Sequence, residues 1–245
     1  MRDTSLHVIF DWNGTLLDDV PACVQALNCM LKRRRLPPVT EQQYRDQFGF
    51  PVMSFYRRLG FDFESEDWDK AAVEFHQLYR RHVGGCKLRD GAADLLARLQ
   101  KFGIGASVLS ASETSFLESE LSRCGLRSFF ARVSGISNIY ADSKLSSAKQ
   151  LAGEIALPPR YIILLGDTTH DAEVARTVGF RCVLLTGGHQ SDERLSRCGC
   201  PLISDLRGFW SFIRNDEAID CNGCVTLPGP TDGPAVRQGK QKREQ

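Results

Sequence analysis

The stretch Leu6-His7-Val8-Ile9-Phe10-Asp11-Trp12-Asn13-Gly14-Thr15-Leu16-Leu17 constrains this chain most. A short apolar run stops abruptly in a carboxylate, a glycine and a hydroxyl. The run reads as a buried β-strand, with Gly14 as its punctuation. In open α/β sheets, chemistry sits just outside the carboxyl ends of the strands. Asp11 stands where such a sheet would carry a nucleophile, and also where an ordinary turn would carry a capping Asp. Residues further along decide between the two.

The rest of the chain supplies a mostly parallel sheet around that strand. Apolar strands end in Ser110-Ala111-Ser112 and in Gly166-Asp167, and another runs from Arg181 to Leu185 before Gly187-Gly188. Helical patterns centred on Leu95/Leu96/Leu99, Phe116/Leu117/Leu121, residues 143–155 and 171–178 separate them. Strands alternating with helices predict an α/β fold, a Rossmann-like parallel sheet covered on both faces. Residues 18–87 break the rhythm. Ala22, Ala26, Leu27, Met30 and Leu31, then Phe55, Tyr56 and Leu59, then Ala71, Ala72, Phe75, Leu78 and Tyr79 recur at helical spacing, and no β-type alternation appears. Thr40 with Gln43 predicts a capping box at one helix start. The expected organisation is a core of residues 1–17 and 88–213, an all-helical insertion at 18–87, and a disordered tail at 214–245, where periodicity gives way to Gly, Pro and charge.

Composition narrows the partners. A formal net charge of +1 gives no global field for nucleic acid. No apolar stretch is long enough to span a membrane, and Arg2 and Asp3 precede the first strand without a secretory segment, so the expectation is a cytoplasmic protein. Nine cysteines, an odd and scattered set, fit reduced thiols better than a disulfide framework. Cys198 with Cys200, and Cys221 with Cys224, have zinc-type spacing, although the first pair reads as a turn and the second lies in the tail. Oligomeric state is left open.

Three strand ends and one lysine together make a phosphoryl-transfer set. Asp11 would attack phosphorus, Asp11 and Asp167 would offer hard oxygen ligands to Mg²⁺, and Asp171 would hold a metal-bound water or a ligand. Ser110, with the backbone near Ala111, Gly14 and Thr15, would donate to phosphoryl oxygens, and Lys144 would neutralise charge. Thr15 reads equally as a steadying group for the nucleophile loop or as a turn cap. The five arginines Arg33, Arg34, Arg35, Arg57 and Arg58 read as solvated helix faces, or as contacts to an anionic substrate.

Asp11-Trp-Asn13-Gly-Thr15, Ser110, Lys144 and Gly166-Asp167-x-x-x-Asp171, in that order and with a helical block after the first strand, resemble the haloacid dehalogenase superfamily of hydrolases, in its phosphoglycolate phosphatase-like branch. The resemblance covers residues 5–213. It implies a Mg²⁺-dependent hydrolase of small phosphorylated metabolites working through an aspartyl phosphate on Asp11, with a mobile helical cap that chooses the substrate. It also implies that the residue two after the nucleophile gives its backbone carbonyl to the metal and, as an Asp, serves as general acid and base. Here that residue is Asn13, whose amide cannot exchange a proton near neutral pH. Three readings follow. The chain is a selective phosphatase for good leaving groups, it borrows a proton from His170 or His189, or it is a catalytically weak phosphate-binding or regulatory protein. Carbon–halogen enzymes of the family lack that Asp as well, but they need no cation, which Asp167 and Asp171 imply. The phosphonate-cleaving members need a cap lysine, for which Lys32, Lys70 and Lys87 offer no convincing setting.

Overall fold

Strand β1 (His7–Phe10) has all four residues buried, so it must be covered on both faces. The computed structural model, which describes residues 6–136 and 144–215, places it at the middle of a six-stranded parallel sheet. After β1 come the two-residue β2 (Leu17–Asp18) and four helices, α1 (Val20–Arg33), α2 (Glu41–Gln47), α3 (Val52–Arg58) and α4 (Trp68–Val83). The chain returns through β3 (Lys87–Leu88) to α5 (Ala92–Lys101), β4 (Gly105–Glu113), α6 (Thr114–Arg123), β5 (Arg132–Ile136) and α7 (Lys144–Ile155). It finishes with β6 (Ile162–Gly166), α8 (Thr169–Val178), β7 (Arg181–Leu185), α9 (Asp192–Ser196), β8 (Leu202–Ile203) and α10 (Leu206–Asn215).

The sheet order is β5-β4-β1-β6-β7-β8. The chain leaves β1 for β4 on one side and later reaches β6 on the other, so β1 lies at the point where the strand order reverses. Phe10 pairs with both Val108 and Leu165, which sets Asp11, Ser110 and Asp167 side by side beyond the sheet's carboxyl edge. Alternation along the strands divides the core. Val8, Phe10, Ile163 and Leu165 join the larger cluster, while Ile9, Leu109, Ile162 and Leu164 pack with Ala148, Leu151 and Ala175 of α7 and α8.

The helical block differs from its sequence outline at both ends. Asp18 and Lys87, read as the limits of an all-helical insertion, instead pair with each other in a two-stranded antiparallel ribbon, beside the pair Leu17 and Leu88. Two residues are too few to show a period of two, so the alternation was invisible. The ribbon is braced by Arg89, whose guanidinium donates to the carbonyls of Gly187 (2.9 Å) and Thr186 (2.8 Å). Thr40 and Gln43 form the expected capping box.

Elsewhere the shifts are small. Tyr161 ends a 3₁₀ turn that follows Pro158, and β6 begins directly after it. Arg127–Phe129 form another such turn, and β5 starts after it at Arg132. Helix α9 had no counterpart in the sequence reading. Among the described residues no helix is long and apolar enough to cross a membrane. The seven described cysteines are all free thiols. Of the disordered tail expected at 214–245, Arg214 and Asn215 instead close α10, and the remainder, with Cys221 and Cys224, lies outside the described residues, as do Arg2 and Asp3.

Candidate active site

Asp11 follows β1 directly, and its backbone N–H donates to the Leu165 carbonyl at 2.9 Å, which fixes it to the neighbouring strand. Its side chain faces Lys144 from the start of α7, with Nζ 2.6 Å from Asp11 Oδ1. The same ammonium lies 2.5 Å from Asp171 Oδ1. Asp171 sits at the third position of α8, and its other oxygen accepts from the Thr168 hydroxyl (2.6 Å) and backbone N–H (3.0 Å). Both Asp171 oxygens are therefore spent on holding Lys144 and the helix start. Asp167, at the end of β6, accepts from the Thr15 hydroxyl at 3.0 Å and from the His189 backbone N–H at 2.5 Å. Thr15 also stands 3.5 Å from Asp11 Oδ2, so it links the two carboxylates rather than capping a turn. Gly14 has φ of +73°, and a Cβ there would collide with the Asp167 carboxylate.

The electrostatics are those of an anion-rich, water-poor pocket. Asp11, Asp167 and Asp171 are all buried, and their oxygens lie within 4.8 Å of one another. Burial pushes the Asp11 carboxyl up to about 8, against the pull of Lys144 and with the help of Asp171 and Asp167. Burial likewise raises Asp167, opposed by His189. Burial works to lower the Lys144 ammonium, but Asp11 and Asp171 outweigh it and hold its pKa above the usual lysine range. Asp171 goes the other way, because Lys144 overcomes its burial and keeps it ionised. With Asp19 included, four buried carboxylates face the two cations Lys144 and His189. A divalent cation with oxygen ligands fits that donor set and would balance the deficit.

Asn13, two residues after Asp11, has its side chain fully committed. Its Nδ2 donates to Asp19 Oδ2 at 2.8 Å and to the Tyr79 hydroxyl at 2.9 Å. Its Oδ1 accepts from the Ser112 hydroxyl at 2.8 Å and stands 3.5 Å from that of Ser110. The amide thus ties the end of β4 to the helical insert. Ser110 is buried and Ala111 half-buried, and both line the same cavity as Asp11, Asn13 and Lys144.

Asp19 is the residue sequence reasoning missed. It is fully buried and collects donors from Asn13, Tyr79 (2.7 Å), the Gly14 N–H (2.8 Å) and His189 Nε2 (3.2 Å). Burial tends to raise its pKa, but His189 and these donors lower it. Burial tends to lower His189, but Asp19 outweighs it and raises the imidazole to about 9. A signal did exist. Asp19 precedes Val20-Pro21 at a helix start yet makes no capping bond, because its carboxylate is turned into the site.

His189 spends its ring on Asp19 and on Tyr44, whose hydroxyl lies 2.9 Å from Nδ1, and so is placed as a brace between the core and α2. His170 packs 4.6 Å from Phe50 and beside Glu173, outside the hydrogen-bond network of Asp11 and Lys144. Arg34 pairs with Glu66 and Glu74, and Arg33 with Glu74, so these arginines are internal ties of the insert. Cys198 and Cys200 belong to neither grouping of described residues that could hold a metal, which are Asp11/Asp167/Asp171 and Asp19/Cys23/His189.

Comparison with known proteins gives the kinship. The family model for haloacid dehalogenase-like hydrolases matches residues 8–185. A phosphoglycolate phosphatase of Synechococcus elongatus is 31% identical over 198 residues, covering 79% of this chain and 89% of its own. An N-acetylmuramic acid 6-phosphate phosphatase of Pseudomonas aeruginosa is 26% identical, covering 81% and 89%. Among solved structures, a haloacid dehalogenase-like hydrolase of Streptococcus pneumoniae superposes with a TM-score of 0.70 at 20% identity, covering 85% of this chain and 98% of its own. A family hydrolase of Deinococcus radiodurans, solved with bound phosphate and sodium, does so at 0.66 and 17%, covering 84% and 94%. Motif order, strand-end geometry and these matches agree: the chain belongs to the haloacid dehalogenase-like hydrolases.

Proposed function

We propose that this hydrolase is a Mg²⁺-dependent phosphatase of small phosphate monoesters, with Asp11 as its nucleophile. The observation that carries the reading is the convergence of Asp11, Lys144, Asp167 and Thr15 beyond the neighbouring strands β1 and β6, with the Lys144 ammonium 2.6 Å from the Asp11 carboxylate. A carboxyl group held beside a buried ammonium is positioned for attack on a phosphoryl group that the same ammonium attracts.

In this reading the substrate's phosphoryl group lies between Asp11 and Ser110. The Ser110 hydroxyl and the amides near Ala111, Gly14 and Thr15 donate to its oxygens, and Lys144 offsets charge on both the phosphoryl group and Asp11. An Asp11 oxygen attacks phosphorus while the bond to the leaving oxygen breaks and that oxygen takes the electron pair. Water then attacks the phosphorus of the aspartyl phosphate, which frees inorganic phosphate and restores Asp11. The carboxylates of Asp11 and Asp167 and the backbone carbonyl of Asn13 would hold Mg²⁺, with Asp171 acting through Lys144 and a bound water. The ion supplies charge neutralisation between carboxylate and phosphate, which would otherwise repel. Asn13 orients but gives no proton. The helical insert between β2 and β3, from α1 to α4, is the cap over this site and sets the substrate.

The two relatives named above carry different substrates in their names, so kinship supports the reaction and leaves the leaving group to the insert. The test is phosphate release from a panel of small monoesters with Mg²⁺ and with chelator, in the wild type and in Asp11→Asn. Release that needs both the ion and Asp11 is expected. Intact phosphate binding without release would move the chain to the weak, regulatory reading.

A further inference from the structure

We propose that the substrate class is aryl phosphate monoesters, in which the leaving group is a phenolic ring. The inference rests on the phosphatase reading above and names what the insert selects. A single cavity of about 160 Å³ runs from Asp11, Ser110 and Lys144 up into the helical insert. Its far wall is apolar and largely aromatic: Phe50, Val52, Trp68, Phe75 and, from the core side, Phe116. Phe75 stacks on Tyr79 with ring centroids 5.9 Å apart, so two rings of the lining are held together, one of them the tyrosine that binds Asn13. An apolar cavity of about 150 Å³ is large enough to take benzene.

The charges on the wall argue against a carboxylated leaving group. Lys144 lies between Asp11 and Asp171, and His189 between Asp19 and Tyr44. The Arg80 guanidinium sits 4.8 Å over the Phe116 ring and 4.0 Å from Glu113. His76 packs edge-on to Phe75 at 5.7 Å. Each of these basic groups thus lies beside a partner, with Asp19 and Glu113 facing His189 and Arg80. A second substrate anion in this space would be desolvated beside carboxylates.

Asn13 points the same way independently. An alkoxide leaving group needs a proton as the bond to phosphorus breaks, and Asn13 has none to give. A phenol has a pKa near 10, far below that of water or an alcohol. The phenolic oxygen can therefore depart with the electron pair of the broken P–O bond as phenolate, the phosphoryl group passing to Asp11, and take its proton from solvent afterwards.

The experiment compares kcat and KM of the Mg²⁺-loaded enzyme for phenyl phosphate, cyclohexyl phosphate and 2-phosphoglycolate. Phenyl phosphate is expected to exceed both in kcat/KM by about 10²-fold or more, the size of general-acid help that Asn13 cannot supply. Cyclohexyl phosphate, which fills the same space, is expected to match phenyl phosphate in KM within a few-fold and to fall behind in kcat. Phe75→Leu, which keeps an apolar wall but removes the ring face, is expected to raise KM for phenyl phosphate with little change in kcat. Phosphoglycolate turned over as well as or better than phenyl phosphate overturns the aryl assignment and leaves the phosphatase intact. Release from none of the three overturns the phosphatase reading, and the aryl assignment with it.

Discussion

Replacing Asn13 by Asp installs the residue that the family resemblance implies there, and the structure gives it a cost that depends on pH. Asn13 Nδ2 lies 2.8 Å from Asp19 Oδ2, so the substitution sets two carboxylate oxygens at that distance in a buried site. With an effective dielectric constant of ~20, two unit charges at that separation repel by ~6 kcal/mol. The pair has a cheaper option, which is to bind one proton and share it. Holding that proton at pH 7 against an ordinary Asp pKa of ~3.9 costs ~4 kcal/mol, and at pH 5 only ~1.5 kcal/mol. The smaller cost sets the loss. The shared pair has a folded-state pKa above the unfolded one, so the native state binds more protons and stability falls as pH rises. Urea unfolding of wild type and Asn13→Asp in chelator, at both pH values, measures this. Asn13→Asp is expected to lose ~4 kcal/mol at pH 7 and to recover most of it by pH 5. An equal loss at the two pH values, or none at either, would refute the idea that the Asn13–Asp19 contact is electrostatic in origin. In the folded low-pH range the same variant is expected to raise turnover of alkyl esters relative to aryl ones, by up to ~10²–10⁴.

Two further outcomes follow from the ion pairs. Lys144→Met is expected to abolish phosphate release and to cost ~3–5 kcal/mol at pH 7, because Asp11 and Asp171 are left buried without their cation; denaturant unfolding read beside circular dichroism at low denaturant checks that the fold persists. His189 is held at about 9 against an ordinary 6.5, so its contribution is complete below pH 6.5 and lost as pH rises through 9. That shift corresponds to ~3 kcal/mol, and a pH series of unfolding midpoints should show a steeper decline over that range in wild type than in His189→Gln, where only the raised Asp11 and Asp167 carboxyls remain to titrate.

The parts of this site that were legible in the sequence are those at strand ends. Asp11, Ser110 and Asp167 each terminate an apolar run, and a parallel sheet can only bring such ends to one edge. Lys144 is different in kind. It opens a helix after the 137–143 segment, and only its order among the family motifs singled it out. Asp19 was illegible because its meaning comes from partners far along the chain, Tyr79 and His189, and because Asp18 beside it is exposed and carries the same formula. Phe75 and Tyr79 were read as a helical core stripe. The stripe is real, but one edge of it faces a cavity instead of another helix, and periodicity cannot distinguish those two neighbours. The ribbon at Asp18 and Lys87 and the five-residue α9 are simply shorter than any pattern.

Asp11 as a nucleophile is tested most directly by acid-quenching the Mg²⁺-loaded enzyme during turnover of phenyl phosphate and weighing its peptides. Because Asn13 cannot activate water against the aspartyl phosphate, the covalent species should accumulate, and the peptide containing Asp11 should carry the mass of one phosphoryl group. That mass should vanish in Asp11→Asn. Steady phosphate release with no phosphorylated peptide, undiminished in Asp11→Asn, would contradict the account.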